Sequence, residues 1–104
     1  MKVSVLVAVY NAEKYLRECL DSLINQTHRD LQIICIDDAS TDASWQILEE
    51  YAAKDSRIVL LRQAENRGIA DTRNRGLQVA DGDYVTMLDS DDWLAPDAIE
   101  QACH

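Results

Sequence analysis

Three carboxylates follow an apolar run near the end of the chain, in residues 84–92 (YVTMLDSDD). The β-branched and aromatic residues before them are typical of a buried strand, which predicts that Asp89, Asp91 and Asp92 lie at its carboxyl end. Carboxylates this close repel one another, and a hard cation such as Mg²⁺ or Mn²⁺ removes that cost while also binding substrate phosphates. The run therefore indicates a divalent-metal site, although a bare D-x-D is also typical of an aspartate-rich turn or helix cap.

The composition of the chain limits the classes of protein to which it can belong. Its 104 residues are 47% hydrophobic and 28% charged, as in a single soluble globular domain. A net charge of −9 argues against nucleic acid as a partner, because nucleic-acid-binding proteins carry a basic surface. No apolar run has transmembrane length, and the N-terminus begins a strand rather than a signal peptide. We therefore expect a cytoplasmic protein, either free or at the inner face of the membrane.

The cysteines and histidines indicate no metal site of their own. Cys19, Cys35 and Cys103 are odd in number and lack metal-ligand spacing. Cys19 falls on the apolar face of a predicted helix and Cys35 inside an apolar strand, so both are predicted to be core thiols. His28 and His104 are isolated, and we assign them no chemistry.

Hydrophobic periodicity predicts four strands alternating with three helices. The predicted strands span residues 2–9, 31–36, 57–62 and 84–88, and the predicted helices span residues 13–26, 43–53 and 69–79. Asn11 is predicted to cap the first helix. Because crossovers between parallel strands are right-handed, this β-α-β-α-β-α-β order predicts one three-layer α/β/α, Rossmann-like domain with a mostly parallel sheet, spanning residues 1–104.

The last residues predict that the chain continues in a longer protein. A new helix begins near Pro96, a few residues before the chain ends, and four parallel strands leave one flank of the sheet uncovered. We therefore expect the domain to be truncated before its acceptor-binding half. The bare flank beside the fourth strand is expected to expose apolar side chains and to favour self-association.

Polar residues end three of the predicted strands: Tyr10-Asn11, Asp37-Asp38 and the acidic run 89–92. If the fourth strand lies next to the first, the sheet order reverses between them, and a ligand-binding crevice opens at that point. The chain has only three glycines and no G-x-G-x-x-G or P-loop motif, so a diphosphate bound there would need a metal for charge neutralisation. Asp38 could then accept hydrogen bonds from a base or a ribose.

Four arginines lie between the two acidic strand ends, and guanidinium groups are suited to bidentate phosphate contacts. They are Arg62, Arg67, Arg73 and Arg75. Each is equally compatible with a solvated helix face that pairs with acids such as Asp71 and Glu65.

Four ordered motifs resemble those of the family 2 glycosyltransferases, which have the GT-A fold. They are residues 3–11 (VSVLVAVYN), residues 36–42 (IDDASTD), residues 65–74 (ENRGIADTRN) and residues 88–94 (LDSDDWL). The resemblance covers essentially the whole chain. It implies a nucleotide-sugar-binding half-domain of an enzyme that transfers a sugar with inversion from a UDP- or dTDP-type donor to a saccharide or lipid-linked acceptor, as in polysaccharide biosynthesis.

The resemblance also implies roles for individual residues. The implied nucleotide-sugar-binding residues are Ala8, Val9, Tyr10, Asn11, Asp38, Arg67, Arg73, Asp89 and Ser90. Asp89 and Asp91 would hold Mn²⁺ or Mg²⁺, with Asp91 as the direct ligand. Ala8 stands where the family most often has proline, which would leave this loop less rigid. The family's catalytic base would lie beyond residue 104, so we expect the fragment to bind nucleotide and metal without transferring sugar.

Three other classes of protein remain as alternatives. A nucleotidyltransferase would carry a glycine-rich, basic loop after the first strand, where this chain has Tyr10-Asn11-Ala12-Glu13. A phosphoacceptor signalling domain would have an aspartate at the end of the third strand, where this chain has Leu61-Arg62-Gln63. A non-catalytic nucleotide- or metal-binding module is the third alternative.

Overall fold

The structure, a computed structural model, describes residues 1–102; Cys103 and His104 lie outside the described residues. Its elements are β1 (Val3–Val9), α1 (Glu13–Ile24), β2 (Leu31–Asp37), α2 (Ser44–Lys54), β3 (Ile58–Arg62), α3 (Ile69–Val79), β4 (Tyr84–Asp89) and α4 (Ala98–Ala102). The predicted order is confirmed, and no predicted boundary of the first seven elements is wrong by more than two residues.

The sheet is parallel throughout and has the strand order β3-β2-β1-β4. The chain moves from β1 to β2 to β3 in one direction and then crosses back to β4, on the other side of β1. Right-handed crossovers in opposite directions place their helices on opposite faces of a sheet. Accordingly α1 packs beside α2, whereas α3 packs on β1 and β2 from the other face. The predicted three-layer α/β fold is confirmed.

The two central strands are buried on both faces. Alternate residues of β1, such as Val5 and Val7, join the larger core beneath α1 and α2, while Leu6 faces α3 together with Ile34 and Ile36. Side chains alternate between the faces of a strand, so a strand covered on both sides must be apolar at nearly every position. This explains the continuous apolar runs in the sequence.

Helix α3 approaches the sheet closely at Gly76. A Cβ atom at this position would lie 2.8 Å from Cδ2 of Leu6 and 2.9 Å from Cδ1 of Ile36. The missing side chain therefore brings α3 against β1 and β2. This packing fixes the N-terminal end of α3 near the end of β1.

The two described cysteines lie in the core, as predicted. Cys19 and Cys35 are both fully buried and free. Burial raises the pKa of the Cys19 thiol to about 12, and it raises the pKa of Cys35 as well. Because the thiolate is the reactive form, neither residue is suited to catalysis.

The segment after β4 folds back onto the C-terminal end of α1 through Gln26, whose side chain is fully buried. Its Nε2 donates to the carbonyl oxygen of Ala95 at 2.7 Å, and its Oε1 accepts from the backbone N–H of Ile99 at 3.0 Å. Since a buried amide is stable only when its hydrogen bonds are made, these contacts fix the path of the chain beyond the acidic run.

The outer side of β4 is open within residues 1–102. The strand pairs only with β1, and its side chains Tyr84, Val85 and Met87 are 58%, 39% and 44% exposed. An apolar groove of about 230 Å³ runs along this flank toward α4. None of the helices in this part of the chain is both long and apolar enough to span a lipid bilayer.

Candidate functional site

A cleft of about 570 Å³ opens where the carboxyl ends of β1 and β4 meet the N-terminal end of α3. The sequence-predicted residues that line it are Ala8, Val9, Tyr10, Asn11, Asp38, Asp89, Ser90 and Asp91. It is also lined by residues that sequence reasoning missed, namely Ala12, Tyr15, Asn66, Gly68, Ile69 and Thr72. The cleft lies between β1 and β4, where the strand order reverses.

One wall of the cleft ends in a cluster of acids. Carboxylate oxygens of Asp89, Asp91 and Asp92 all lie within 4.8 Å of one another, and the three residues are exposed. Strand β4 ends at Asp89, and the chain then turns, with the N–H of Asp92 donating to the Asp89 carbonyl at 3.0 Å. The turn brings Asp92 to the same side as the predicted D-x-D pair.

This cluster fits a hard divalent cation. Its donors are all carboxylate oxygens, which are the ligands that Mg²⁺ and Mn²⁺ prefer. Within residues 1–102, no lysine or arginine forms an ion pair with any of the three acids. Their mutual repulsion is therefore not offset by a basic side chain, and a cation would relieve it.

Asp38 organises the opposite wall of the cleft. Its carboxylate is only 5% exposed. Oδ1 accepts from Nε2 of Gln63 at 2.7 Å and from the backbone N–H of Arg67 at 2.8 Å, while Oδ2 accepts from the N–H of Gly68 at 3.0 Å. Asp38 thereby holds the loop before α3. Since a carboxylate oxygen can accept two hydrogen bonds, Oδ2 has room for one more donor.

The prediction that Asn11 caps α1 is wrong. Ala12 occupies the N-cap position, and its methyl side chain makes no capping hydrogen bond. Asn11 has a left-handed backbone, with φ of 48°, which asparagine tolerates better than most residues. Its Oδ1 instead accepts from the backbone N–H of Thr41 at 2.8 Å, so its carboxamide joins two loops.

The four arginines do not line the cleft. Nη2 of Arg67 lies 3.3 Å from Oε1 of Glu65, and Arg73 borders a small gap between α3 and the sheet. Arg75 donates to the carbonyl oxygen of Arg62, whose own guanidinium stacks 4.7 Å from the Trp45 ring centroid. The proposed donor contacts of Arg67 and Arg73 therefore stay predictions.

A second aspartate at the end of β2 points away from the cleft. Asp37 is fully buried, and neither of its carboxylate oxygens accepts a hydrogen bond from the residues that the structure describes. Its nearest cation is Nε of Arg62, at 3.8 Å from Oδ2. Successive side chains of a strand face opposite sides, which separates Asp37 from its neighbour Asp38.

A parallel sheet with an acidic cluster at its switch point, and no glycine-rich phosphate loop, is the architecture of the GT-A glycosyltransferases, and the solved structures that resemble this chain have that fold. The chain belongs to glycosyl transferase family 2, whose family model matches residues 4–103.

Known proteins of this family are similar over nearly the whole chain. Glycosyltransferase GlyA from Streptococcus pneumoniae serotype 4 is 48% identical over 99 residues, which are 95% of this chain and 14% of GlyA. Residues 1–349 of TarS from S. aureus, in complex with UDP-GlcNAc, are 36% identical with a TM-score of 0.91. That match covers 99% of this chain and 30% of the TarS chain.

A third relative differs in its donor. The mannosyltransferase PcManGT from Pyrobaculum calidifontis, in complex with GDP-Man and Mn²⁺, is 30% identical with a TM-score of 0.90. The match covers 98% of this chain and 31% of PcManGT. The chain thus spans less than a third of each of these three relatives.

The left-handed backbone at Ala39, with φ of 61°, generates a stability prediction. A side chain at this φ costs about 1–2 kcal/mol, a cost that glycine does not carry. Glycine also loses more entropy on folding, by about 0.5–1 kcal/mol. We therefore expect Ala39→Gly to raise the free energy of unfolding by roughly 0.5–1 kcal/mol in urea denaturation.

The matched control is Ala52→Gly, the same replacement inside α2, which should lower the free energy of unfolding by about 1 kcal/mol. If Ala39→Gly destabilised the protein as much as Ala52→Gly, the left-handed conformation assigned to residue 39 would be wrong.

Proposed function

We propose that this chain binds a nucleotide-diphosphate sugar, with a UDP-sugar as the leading candidate, in the cleft between β1 and β4. In the whole protein it would form the donor-binding part of an enzyme that transfers the sugar, with inversion, to an acceptor hydroxyl. One observation carries the proposal: the acidic cluster, the β1 loop and Asp38 all border one cleft at the switch point of the sheet. Donor recognition and charge neutralisation can therefore act on one ligand.

The base and ribose are assigned to the wall formed by Ala8 to Asn11 and by Asp38. Oδ2 of Asp38 accepts one N–H within the protein and has room for a second donor, such as the N3–H of uracil. Ala8 has no ring to restrict its backbone, so the first residue of this wall keeps an N–H that proline would lack. Thr41, which does not line the cleft, holds this loop by donating its backbone N–H to Oδ1 of Asn11.

The diphosphate is assigned to the opposite wall, beside Asp89 and Ser90. A Mn²⁺ or Mg²⁺ ion held there by Asp91, with Asp89 as the second ligand, would neutralise the diphosphate and stabilise it as a leaving group. Asp92 completes the set of oxygens within 4.8 Å. The chain has no glycine-rich loop that could neutralise the phosphates in place of the cation.

Arg67 and Arg73 are assigned to the same ligand, as side chains that would move to contact its phosphates. Arg67 is 53% exposed, and its partner Glu65 is 73% exposed. Exposed ion pairs contribute little free energy, so Arg67 can leave Glu65 for a phosphate at small cost.

The relatives support the assignment of the donor as a nucleotide-diphosphate sugar, but they do not indicate which base it carries. TarS is described in complex with UDP-GlcNAc and PcManGT in complex with GDP-Man and Mn²⁺. Both ligands are nucleotide-diphosphate sugars, whereas their bases differ. Our assignment of a pyrimidine therefore rests on Asp38.

The remaining assignments concern the whole protein. We assign the catalytic base to a part of the protein beyond residue 104, and the acceptor to a saccharide or a lipid-linked saccharide, at the cytoplasmic face of the membrane or in the cytoplasm. The exposed side chains of β4 are the surface on which self-association would occur.

The proposed metal ligands generate the first functional prediction. UDP should bind this chain at least about tenfold more tightly, or 1.4 kcal/mol, with Mn²⁺ than with EDTA, because the cation offsets the repulsion between diphosphate and carboxylates. Asp91→Asn should abolish most of that difference when measured by isothermal titration calorimetry.

Asp30→Asn is the control, since it removes one exposed carboxylate at the opposite end of the sheet, before β2. It should bind UDP as the parent does. Equal affinity of the parent chain for UDP with Mn²⁺ and with EDTA would contradict the assigned metal site.

The second functional prediction concerns Asp38. Loss of a charge-assisted hydrogen bond costs about 1.5–3 kcal/mol, so Asp38→Ala should weaken UDP binding by about one to two orders of magnitude. Because the lost contact is to the base, binding of GDP should weaken less. Calorimetry with both nucleotides measures the two losses.

The control for this prediction is Gln63→Leu, which removes one donor to Asp38 without removing its carboxylate. Any loosening of the loop before α3 should weaken UDP and GDP equally in this variant. If Asp38→Ala also weakened both nucleotides equally, or bound UDP like the parent, the base assignment would be wrong.

A further inference from the structure

The loop between β2 and α2 contacts the loop after β1 on the side that faces away from the cleft. Three consecutive backbone N–H groups at the start of α1 donate to side chains of this loop and of the first residue of α2: Asn11 to Ser40 Oγ at 2.9 Å, Ala12 to Ser44 Oγ at 2.9 Å and Glu13 to Asp42 Oδ2 at 3.2 Å. We call Ser40, Asp42 and Ser44 the clamp. The clamp residues do not line the cleft, so they act on its wall rather than on its contents.

The contact between the two loops is reciprocal. Besides the Asn11–Thr41 bond, Oε2 of Glu13 accepts from the N–H of Ala43 at 3.2 Å. The N-cap positions of both helices hold alanine, which cannot cap with its own side chain. The N–H groups of Asn11, Ala12 and Glu13 are therefore satisfied by side chains about thirty positions away, whereas Tyr15 in the first turn of α1 donates locally to the Ala12 carbonyl.

Burial and charge stabilise the hydrogen bonds that the clamp accepts. Ser44 is fully buried and Ala12 is 8% exposed, so the hydrogen bond between them is shielded from water. Burial alone would raise the pKa of Asp42. The pKa is nevertheless held below its ordinary value by hydrogen bonds from the hydroxyl and N–H of Ser44 and from the N–H of Glu13. Asp42 is then an ionised acceptor at neutral pH.

The clamp also holds a strained backbone. Asn11 and Ala39 are the two non-glycine residues with positive φ in the described chain, at 48° and 61°, and one lies in each loop. Such conformations persist when surrounding contacts impose them. Without the clamp, the β1 loop would be free to relax away from the shape that lines the cleft.

We propose that Ser44, with Ser40 and Asp42, is a positioning residue for the donor site: the clamp fixes Tyr10 to Ala12 where this wall can contact a nucleotide. The inference rests on the function proposed above and adds residues that do not line the cleft. The same loop begins at Asp38, which holds the N–H groups of Arg67 and Gly68. Residues 38–44 thus hold both the loop after β1 and the loop before α3, which border the same cleft.

The experiment compares Ser44→Ala with the parent chain, with Ser44→Thr and with the control Ser22→Ala. Ser22 donates to the carbonyl oxygen of Cys19 within α1, so the control removes a hydroxyl that plays no part in the clamp. Two readouts are taken: amide hydrogen exchange of Ala12 by NMR without nucleotide, and UDP affinity with Mn²⁺.

In Ser44→Ala we expect exchange at Ala12 to be about tenfold faster, and UDP binding about tenfold weaker, since loss of a capping hydrogen bond changes an equilibrium by about that factor. Exchange in the central strands β1 and β2 should not change. Ser44→Thr, which keeps a hydroxyl, should restore both values, whereas threonine would not reverse a general effect of replacing this buried residue. Mn²⁺ alone should bind as in the parent, because the acidic cluster lies at the carboxyl end of β4, which the clamp does not contact.

Ser40→Ala provides a second variant in case Ser44→Ala fails to fold, because Ser40 is partly exposed and should loosen only the Asn11 N–H. Faster exchange with unchanged UDP affinity in the variants would overturn the inference, and so would unchanged exchange. If the parent chain itself bound no UDP with Mn²⁺, the proposed function would fail, while the exchange rates would still decide whether the clamp holds the loop.

Discussion

Right-handed crossover connections decide where the cleft of this protein lies. Strand β1 is central because β2 lies on one side of it and β4 on the other. The connections to the two sides must therefore place α1 and α3 on opposite faces, and the gap between the ends of β1 and β4 stays open within residues 1–102. Gly76 brings α3 close to the sheet, so the N-terminal end of α3 becomes a wall of the same gap.

The two acidic strand ends of this cleft are built in opposite ways. The carboxylate of Asp38 is buried and accepts three hydrogen bonds, so it stabilises the protein around it. The carboxylates of Asp89, Asp91 and Asp92 are exposed, close together and without ion-pair partners in the described chain. A satisfied carboxylate suits the recognition of a neutral base, whereas an unsatisfied cluster suits a cation and a diphosphate.

Much of this arrangement could be predicted from the sequence because it depends on local periodicity. Continuous apolar runs indicate the strands, apolar residues at helical spacing indicate α1 to α3, and the run after Leu88 indicates the acidic cluster. The interactions between loops could not be predicted in this way. Asn11 follows a strand and precedes a helix, which favours a cap, yet its partner Thr41 lies thirty residues away. Tyr15 joins the site from α1, whereas Asn66 and Thr72 join it because α3 packs against the sheet and brings its N-terminal end to the cleft.

We propose that one cleft, at the ends of β1 and β4, holds the cation and the nucleotide together. The most direct test is paramagnetic line broadening by Mn²⁺ in amide NMR spectra of the chain, recorded with and without UDP. We expect Mn²⁺ to broaden the signals of residues 89–92 first, and UDP to extend and strengthen the effect at Tyr10 and Asn11, while Asp30 and Arg57 at the other end of the sheet keep sharp signals. Broadening centred on Asp81 and Asp83, or spread evenly over the acidic surface, would contradict the claim.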